Sequence, residues 1–164
     1  MRMSKTADEG ASLARVRADA LQRGLAIEPI RLDEGTRTAQ AAAAACGCDL
    51  DQIVKSIVFR ESGSGRHVLF LTAGGNRVDP AKAASLAGAP LEKADAASVR
   101  AVTGFAIGGV APLGHLAPID AWLDPRLLAF ETVWAAAGTP HHVFAVAPAA
   151  LARAVGATVA DFAA

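Results

Sequence analysis

Apolar positions along the chain change period several times. Between residues 12 and 23, Leu13, Val16, Ala20 and Leu21 recur at helical spacing on one face, with Ser12 as a cap and Gly24 beyond the end. Thr38 opens a second predicted helix through the alanine run 41–45, and Gly47 closes it. The pattern then turns extended. Val54-Lys55-Ser56-Ile57-Val58-Phe59 is rich in β-branched residues, and residues 67–73 form a second apolar run beyond Glu61-Ser62-Gly63-Ser64-Gly65-Arg66. These read as two strands, 54–60 and 67–73, joined by a hairpin turn. Strand side chains alternate between faces, so Lys55 shares a face with Ile57 and Phe59, while Ser56 and Val58 take the other. Neither face shows a polar alternation, so both are expected to be covered.

The remaining elements follow from caps and breakers. Residues 27–32 read as a short strand, and Pro29 places it at a sheet edge. Gly35-Thr36 reads as a break. Asp79-Pro80 opens a helix that Gly88 stops, and Asp95 caps another over 96–102. Strands are expected at 91–93, 119–123, 132–136 and 141–146, with a turn or short helix at Asp124-Pro125. A short apolar strand from Gly104 runs into Gly108-Gly109. Pro148 opens a last helix, stopped by Gly156, and 158–162 adds a short strand. Helices come singly between hairpin-like strand pairs, which is an α+β pattern rather than regular βαβ repeats. Residues 1–11 read as a flexible polar leader, and 12–164 as one compact domain.

Composition narrows the function classes. Hydrophobic residues make up 52% of the 164 residues, but aromatics only 5%, so Val, Ile, Leu and Ala carry the core. Sixteen basic and sixteen acidic side chains balance. General duplex binding calls for a basic excess, so DNA is not an expected partner and any nucleic-acid contact is local. The polar N-terminus carries no secretory signal, and no apolar run is long enough to span a membrane. Cys46 and Cys48 are one residue apart, a poor spacing for a disulfide, and suit a reducing, cytoplasmic setting.

Lys55 is the first candidate for chemistry. Its stem could lie on apolar surface while its head reaches water. Alternatively its ammonium is aimed into a cleft, where a compact cation holds a carbonyl oxygen or a phosphate. The Gly108-Gly109-Val110 turn is the second. It is either a tight turn after a strand, or a place where backbone N–H groups meet an oxyanion or terminal phosphate. His67, His115, His141 and His142 show no metal-ligand spacing, so no zinc site is expected, and surface histidine is the default. His115 follows the glycine-proline turn and could line a cleft mouth. Asp79 and Asp95 read as helix caps, Asp49 and Asp51 as turn caps. No nucleophile elbow and no paired acid/base carboxylates are present.

Taken in order, these pieces resemble the YbaK family, the trans-editing aminoacyl-tRNA deacylases related to the insertion domain of bacterial prolyl-tRNA synthetase. Asp51-Gln52-Ile53-Val54-Lys55-Ser56-Ile57-Val58-Phe59 resembles its lysine strand. Thr103-Gly104-Phe105-Ala106-Ile107-Gly108-Gly109-Val110-Ala111-Pro112-Leu113-Gly114 resembles its glycine-rich strand and turn. Ile119-Asp120, Thr132-Val133-Trp134, Gly138 and Val159-Ala160-Asp161 follow in the same order, so the resemblance covers nearly the whole chain after Ser12.

The resemblance implies an α+β fold around a strongly curved, barrel-like mixed sheet with flanking helices. It implies hydrolysis of the ester joining a wrong amino acid to the terminal adenosine of a tRNA, with no metal or cofactor. Lys55 takes the family lysine's catalytic place, and the family's glycine turn falls on Gly108 and Gly109; with Val110 next in that turn and His115 at the cleft mouth, read from the residues themselves, these are the expected substrate-binding positions. The expected partners are the acceptor end of a mischarged tRNA and prolyl-tRNA synthetase, with no membrane. Ala135, Ala136 and Ala111 depart from the cysteinyl-specific pattern, which points to a small amino acid on tRNA for proline. Two other functions stay open: a non-catalytic module that docks on an acceptor end or a synthetase, and a hydrolase of small aminoacyl esters.

Overall fold

The computed structural model describes residues 2–33 and 38–164, with side chains from residue 9 onward. Its organising element is the hairpin of β2 (Ile53–Glu61) and β3 (His67–Ala73). Their antiparallel register sets Lys55 opposite Thr72, Ile57 opposite Phe70 and Phe59 opposite Val68. The sheet grows outward from this pair. On the β3 side lie β5 (Asp120–Leu123) and β8 (Thr158–Val159), each added in parallel. On the other side β6 (Val133–Ala136) runs parallel to β2, followed by antiparallel β7 (His142–Val146) and β1 (Ile30–Arg31). The short β4 (Leu91–Lys93) also pairs with β2, at its far end. The result is an eight-stranded mixed sheet with β1 at one edge and β8 at the other. The edge position of β1 fits Pro29 just before it.

Among the described residues, five α-helices accompany the sheet: α1 (Arg2–Gln22), α2 (Ala39–Cys46), α3 (Pro80–Ala87), α4 (Ala96–Thr103) and α5 (Pro148–Val155). Local signals set most of their ends. Thr38 Oγ1 accepts from the Ala41 N–H, Asp79 from Ala81 and Lys82, and Asp95 from Ser98. Gly47, Gly88, Gly104 and Gly156 close α2 to α5 in the left-handed conformation. This is the expected α+β domain.

Both faces of the hairpin are buried, as its sequence requires. Val54, Val58, Leu69 and Leu71 join the main core with Phe105, Leu123, Ala135 and Phe144. The opposite face packs Phe59 and Phe70 with Trp122, Phe162 and Ala83 of α3. Phe70 stacks on Trp122 at 5.1 Å between centroids and meets Phe162 edge-on at 4.9 Å. A third, small cluster holds Ile53, Ala42 and Ala43, with Cys48 and Trp134 against it.

Two expectations are corrected. The first helix does not begin at a Ser12 cap: α1 starts at Arg2, and Ser12 is buried within it. Its inward face continues from Ser12 through Val16 and Ala20, both fully buried. The apolar stretch after Gly104 is not a strand. Gly104, Gly108 and Gly114 all adopt positive φ, and the chain turns repeatedly. Its polar groups are met locally, Phe105 N–H by Thr103 Oγ1 and Gly109 N–H by the Ala106 carbonyl. Apolarity there reflects burial of Phe105, Ala111 and Leu113 in the core, not sheet pairing. The expected break at Gly35-Thr36 lies outside the described residues.

Candidate active site

One edge of β2 pairs with two different strands and leaves a gap between them. Pairing to β6 ends at Val54, and pairing to β4 begins at Phe59. A cavity of about 330 Å³ opens at this gap. Its wall is drawn from both faces of the sheet. Ile53, Lys55, Ile57 and Trp134 line it on the side facing α2; Val54, Val58, Val99, Val110 and Ala135 line it on the side of the main core. The lining is mostly apolar, and the side chains are small on the core side.

Lys55 is the cation of this cavity. It is half-buried, and its Nζ donates to the carbonyl oxygen of Asn76 at 2.5 Å. Burial first, and then the nearby Arg77 guanidinium, hold its pKa below that of an ordinary lysine, while Asp124 and Asp51 oppose the shift. The remaining N–H donors of the ammonium are left for a ligand.

The anchor for Lys55 is itself built. Asp124, almost fully buried, accepts through Oδ2 from Ala73 N–H (3.1 Å) and Asn76 Nδ2 (2.9 Å), and through Oδ1 from Arg126 N–H (2.9 Å). Asp51 takes Gly75 N–H at 2.8 Å and Arg126 Nε at 2.9 Å. The hydrogen bond from Arg126 is the main reason its carboxyl titrates below the usual range. Two carboxylates thus clamp the turn after β3, and that turn presents the carbonyl to Lys55. Asp124→Ala strands two backbone N–H groups and the Asn76 amide, so a loss of about 2 kcal/mol is expected, with weaker fixation of Lys55. Urea unfolding checks the first, and side-chain NMR of the Lys55 ammonium the second.

The predicted site residues separate into two sets. Lys55, Gly108 and Val110 line the same cavity. Gly109 does not. A Cβ there would stand 2.7 Å from the Thr139 carbonyl carbon, so its missing side chain serves close approach to Thr139 and Pro140. Its N–H is already used by Ala106, which removes it as an oxyanion donor. His115 also lies apart, in a second cleft between α1, the 112–119 segment and Val155 of α5, where its Nε2 sits 2.7 Å from the Ala111 carbonyl. It turns away because Arg15 Nε and Asp19 Oδ2 hold Gly114 on both sides, at 2.7 Å each.

The histidines are half-buried rather than on the surface. Burial lowers the pKa of His67, His115 and His142 from the ordinary value. The unfolded chain therefore takes up protons first as pH falls below about 6.5. More protons bound in the unfolded state means stability that drops with acidification. The depressed carboxylates Asp51, Asp95 and Asp161 keep their contributions until pH approaches about 4, so they do not confuse this window. The urea midpoint is expected to fall between pH 7.5 and 5.5, and less so for His115→Gln; unchanged midpoints contradict this. Cys46, whose thiol burial pushes up to about 11, and Cys48 are free thiols, with Cys48 packed beside the third cluster.

Sequence reasoning passed over Asn76, Asp124 and the open edge at Ser56. Gly74-Gly75-Asn76 after an apolar strand and Asp124 before Pro125 were the available signals, the first readable as a turn and the second as a turn or short helix.

Residues 33–154 match the aminoacyl-tRNA editing domain family, and the chain belongs to that family. A protein solved as a candidate trans-editing enzyme for prolyl tRNA synthetase superposes with a TM-score of 0.87 at 45% identity, covering 93% of this chain and 97% of the other. The uncharacterized protein YwhH of Bacillus subtilis (strain 168) is 29% identical over 142 residues, 87% of this chain and 90% of its own. Among the described residues, no helix is long and apolar enough to cross a membrane, and no cluster of His, Cys, Asp and Glu is placed to hold a metal ion.

Proposed function

We propose that this protein is a trans-acting deacylase that hydrolyses the ester of a mischarged tRNA, with a small amino acid on tRNA for proline as substrate. The observation that carries this reading is the half-buried Lys55 ammonium on the wall of a mostly apolar cavity, in a chain of the aminoacyl-tRNA editing family. An aminoacyl ester is already activated, so a strong nucleophile is unnecessary. Placing water and stabilising charge on the carbonyl oxygen suffice. Lys55 supplies the cation, and Gly108 and Val110 line the same cavity. The small side chains of Val99, Val110 and Ala135 bound the acyl compartment, which favours small residues but discriminates among them weakly. The likeness to a candidate trans-editing enzyme for prolyl tRNA synthetase supports tRNA for proline and association with that synthetase.

The test is deacylation of a panel of tRNAs carrying alanine, serine, cysteine or proline, alongside free aminoacyl adenosine. Cleavage of the small mischarged residues on tRNA, with prolyl-tRNA spared, is expected. Binding without cleavage across the panel would point to a docking module, and equal cleavage of the free aminoacyl adenosine to a small-ester hydrolase.

A further inference from the structure

The gap in the sheet exposes one residue's backbone in a defined direction. In a strand, alternate residues aim both N–H and C=O to the same side. Glu61 N–H donates to Arg66 O across the hairpin, so the odd-numbered residues of β2 face β3. Val58 O accepts from Ala94 N–H at 3.4 Å, so the even-numbered residues face β4 and β6. Ser56 lies between Val54, paired through Ala135 of β6, and Val58. Its N–H and C=O therefore point into the gap, and no described strand pairs with them there. Ser56 lines the cavity and is half-buried. Its Oγ is buried without a partner among the described residues, so the hydroxyl does not cap its own backbone. Buried backbone groups are nearly always paired in a native fold. Among the described residues, these two meet a cavity instead.

We propose that Ser56 reads the aminoacyl group as if it were one residue of a missing strand: its N–H donates to the ester carbonyl oxygen, and its C=O accepts from the α-ammonium. This rests on the deacylase reading and deepens it. An aminoacyl ester offers the same acceptor and donor, on adjacent carbons, that a strand residue offers in a doubly hydrogen-bonded antiparallel pair. Residues so paired put their side chains on the same face. The substrate side chain then follows that of Ser56 to the core side, into the compartment of Val58, Val99, Val110 and Ala135. The D enantiomer would direct its side chain to the opposite face, toward Lys55 and α2. The edge thus selects an α-amino group and L configuration whatever the side chain, and the small apolar compartment limits size.

The experiment uses the full chain and non-hydrolysable amides of 3′-amino-3′-deoxyadenosine carrying L-alanyl, D-alanyl or propionyl groups, the last lacking the α-ammonium. Titrations are followed by amide NMR, in parallel with cleavage of the matching L- and D-aminoacyl-tRNAs. The L-alanyl amide is expected to bind at least about 10-fold more tightly than either analogue, to shift the Ser56 amide proton downfield, and to match a preference for L-aminoacyl-tRNA. Equal affinity for the three, or a Ser56 amide that does not move, overturns the proposal even if tRNA is deacylated. Discrimination among the amides without any cleavage keeps the edge and removes the deacylase.

Discussion

Lys55→Ala is expected to lower kcat/KM for deacylation by about 100-fold or more while leaving the protein folded. In the proposed deacylation, the charge that develops on the ester carbonyl oxygen needs a fixed positive partner in a site poor in water. Among the cavity's described lining residues only Lys55 and the exposed Lys93 carry a cation. Lys55 is held in advance by the Asn76 carbonyl, so little reorganisation accompanies the reaction. Its removal leaves that carbonyl without one donor in a half-buried position, a small cost in stability. Circular dichroism and a thermal midpoint establish folding, and single-turnover deacylation reads the rate. Lys55→Arg retains the charge but not the compact ammonium, and is expected to recover only part of the activity. Equal rates for wild type and Lys55→Ala would remove Lys55 from the mechanism.

Gly74→Ala carries the largest expected effect on the fold, a loss of about 3 kcal/mol. Gly74 does not adopt positive φ, so the requirement is one of space rather than backbone conformation. A Cβ at this position would collide with the Leu50 carbonyl oxygen, which belongs to the turn leading into β2. Neither partner can yield without moving backbone, since Asp51 already grips the Gly75 N–H beside it. Relief would push the 73–76 turn outward and take the Asn76 carbonyl from Lys55, so activity falls with stability. Gly108→Ala supplies the contrast. There φ is +92° and an added Cβ would meet nothing within 4 Å among the described residues, so the cost is conformational, about 1–2 kcal/mol, and the cavity wall stays in place. Urea denaturation of the two variants side by side distinguishes crowding from backbone strain. Similar midpoints for Gly74→Ala and wild type would contradict the close approach.

Much of the fold was legible because its signals are local. The caps Thr38, Asp79 and Asp95 and the terminators Gly47, Gly88 and Gly156 act within a few residues of themselves, and each marks an observed helix end. Lys55 inside an apolar β-branched run left two readings open, a head that reaches water and a cation aimed into a cleft; its Nζ reaches the Asn76 carbonyl beside a cavity. The segment after Gly104 misled because apolarity marks burial, not hydrogen-bonding pattern. Phe105 is buried as a loop residue whose N–H is satisfied by Thr103. Gly109 and His115 stand next to Gly108 and Gly114 in sequence, yet one packs on Thr139 and the other faces a second cleft.

By itself, then, the chain determined the ends of most of its helices, its central hairpin, the faces that hairpin buries and the lysine inside its apolar run, since these depend on residues near each other along the backbone. Only the tertiary structure decided that β4 and β6 stop short of each other along β2, leaving Ser56 and Lys55 at an opening. Only it brought Asp124 to the turn at Asn76, 48 residues away. Strand lengths and partners across a sheet depend on how distant segments pack together, and no short-range pattern encodes where pairing ends.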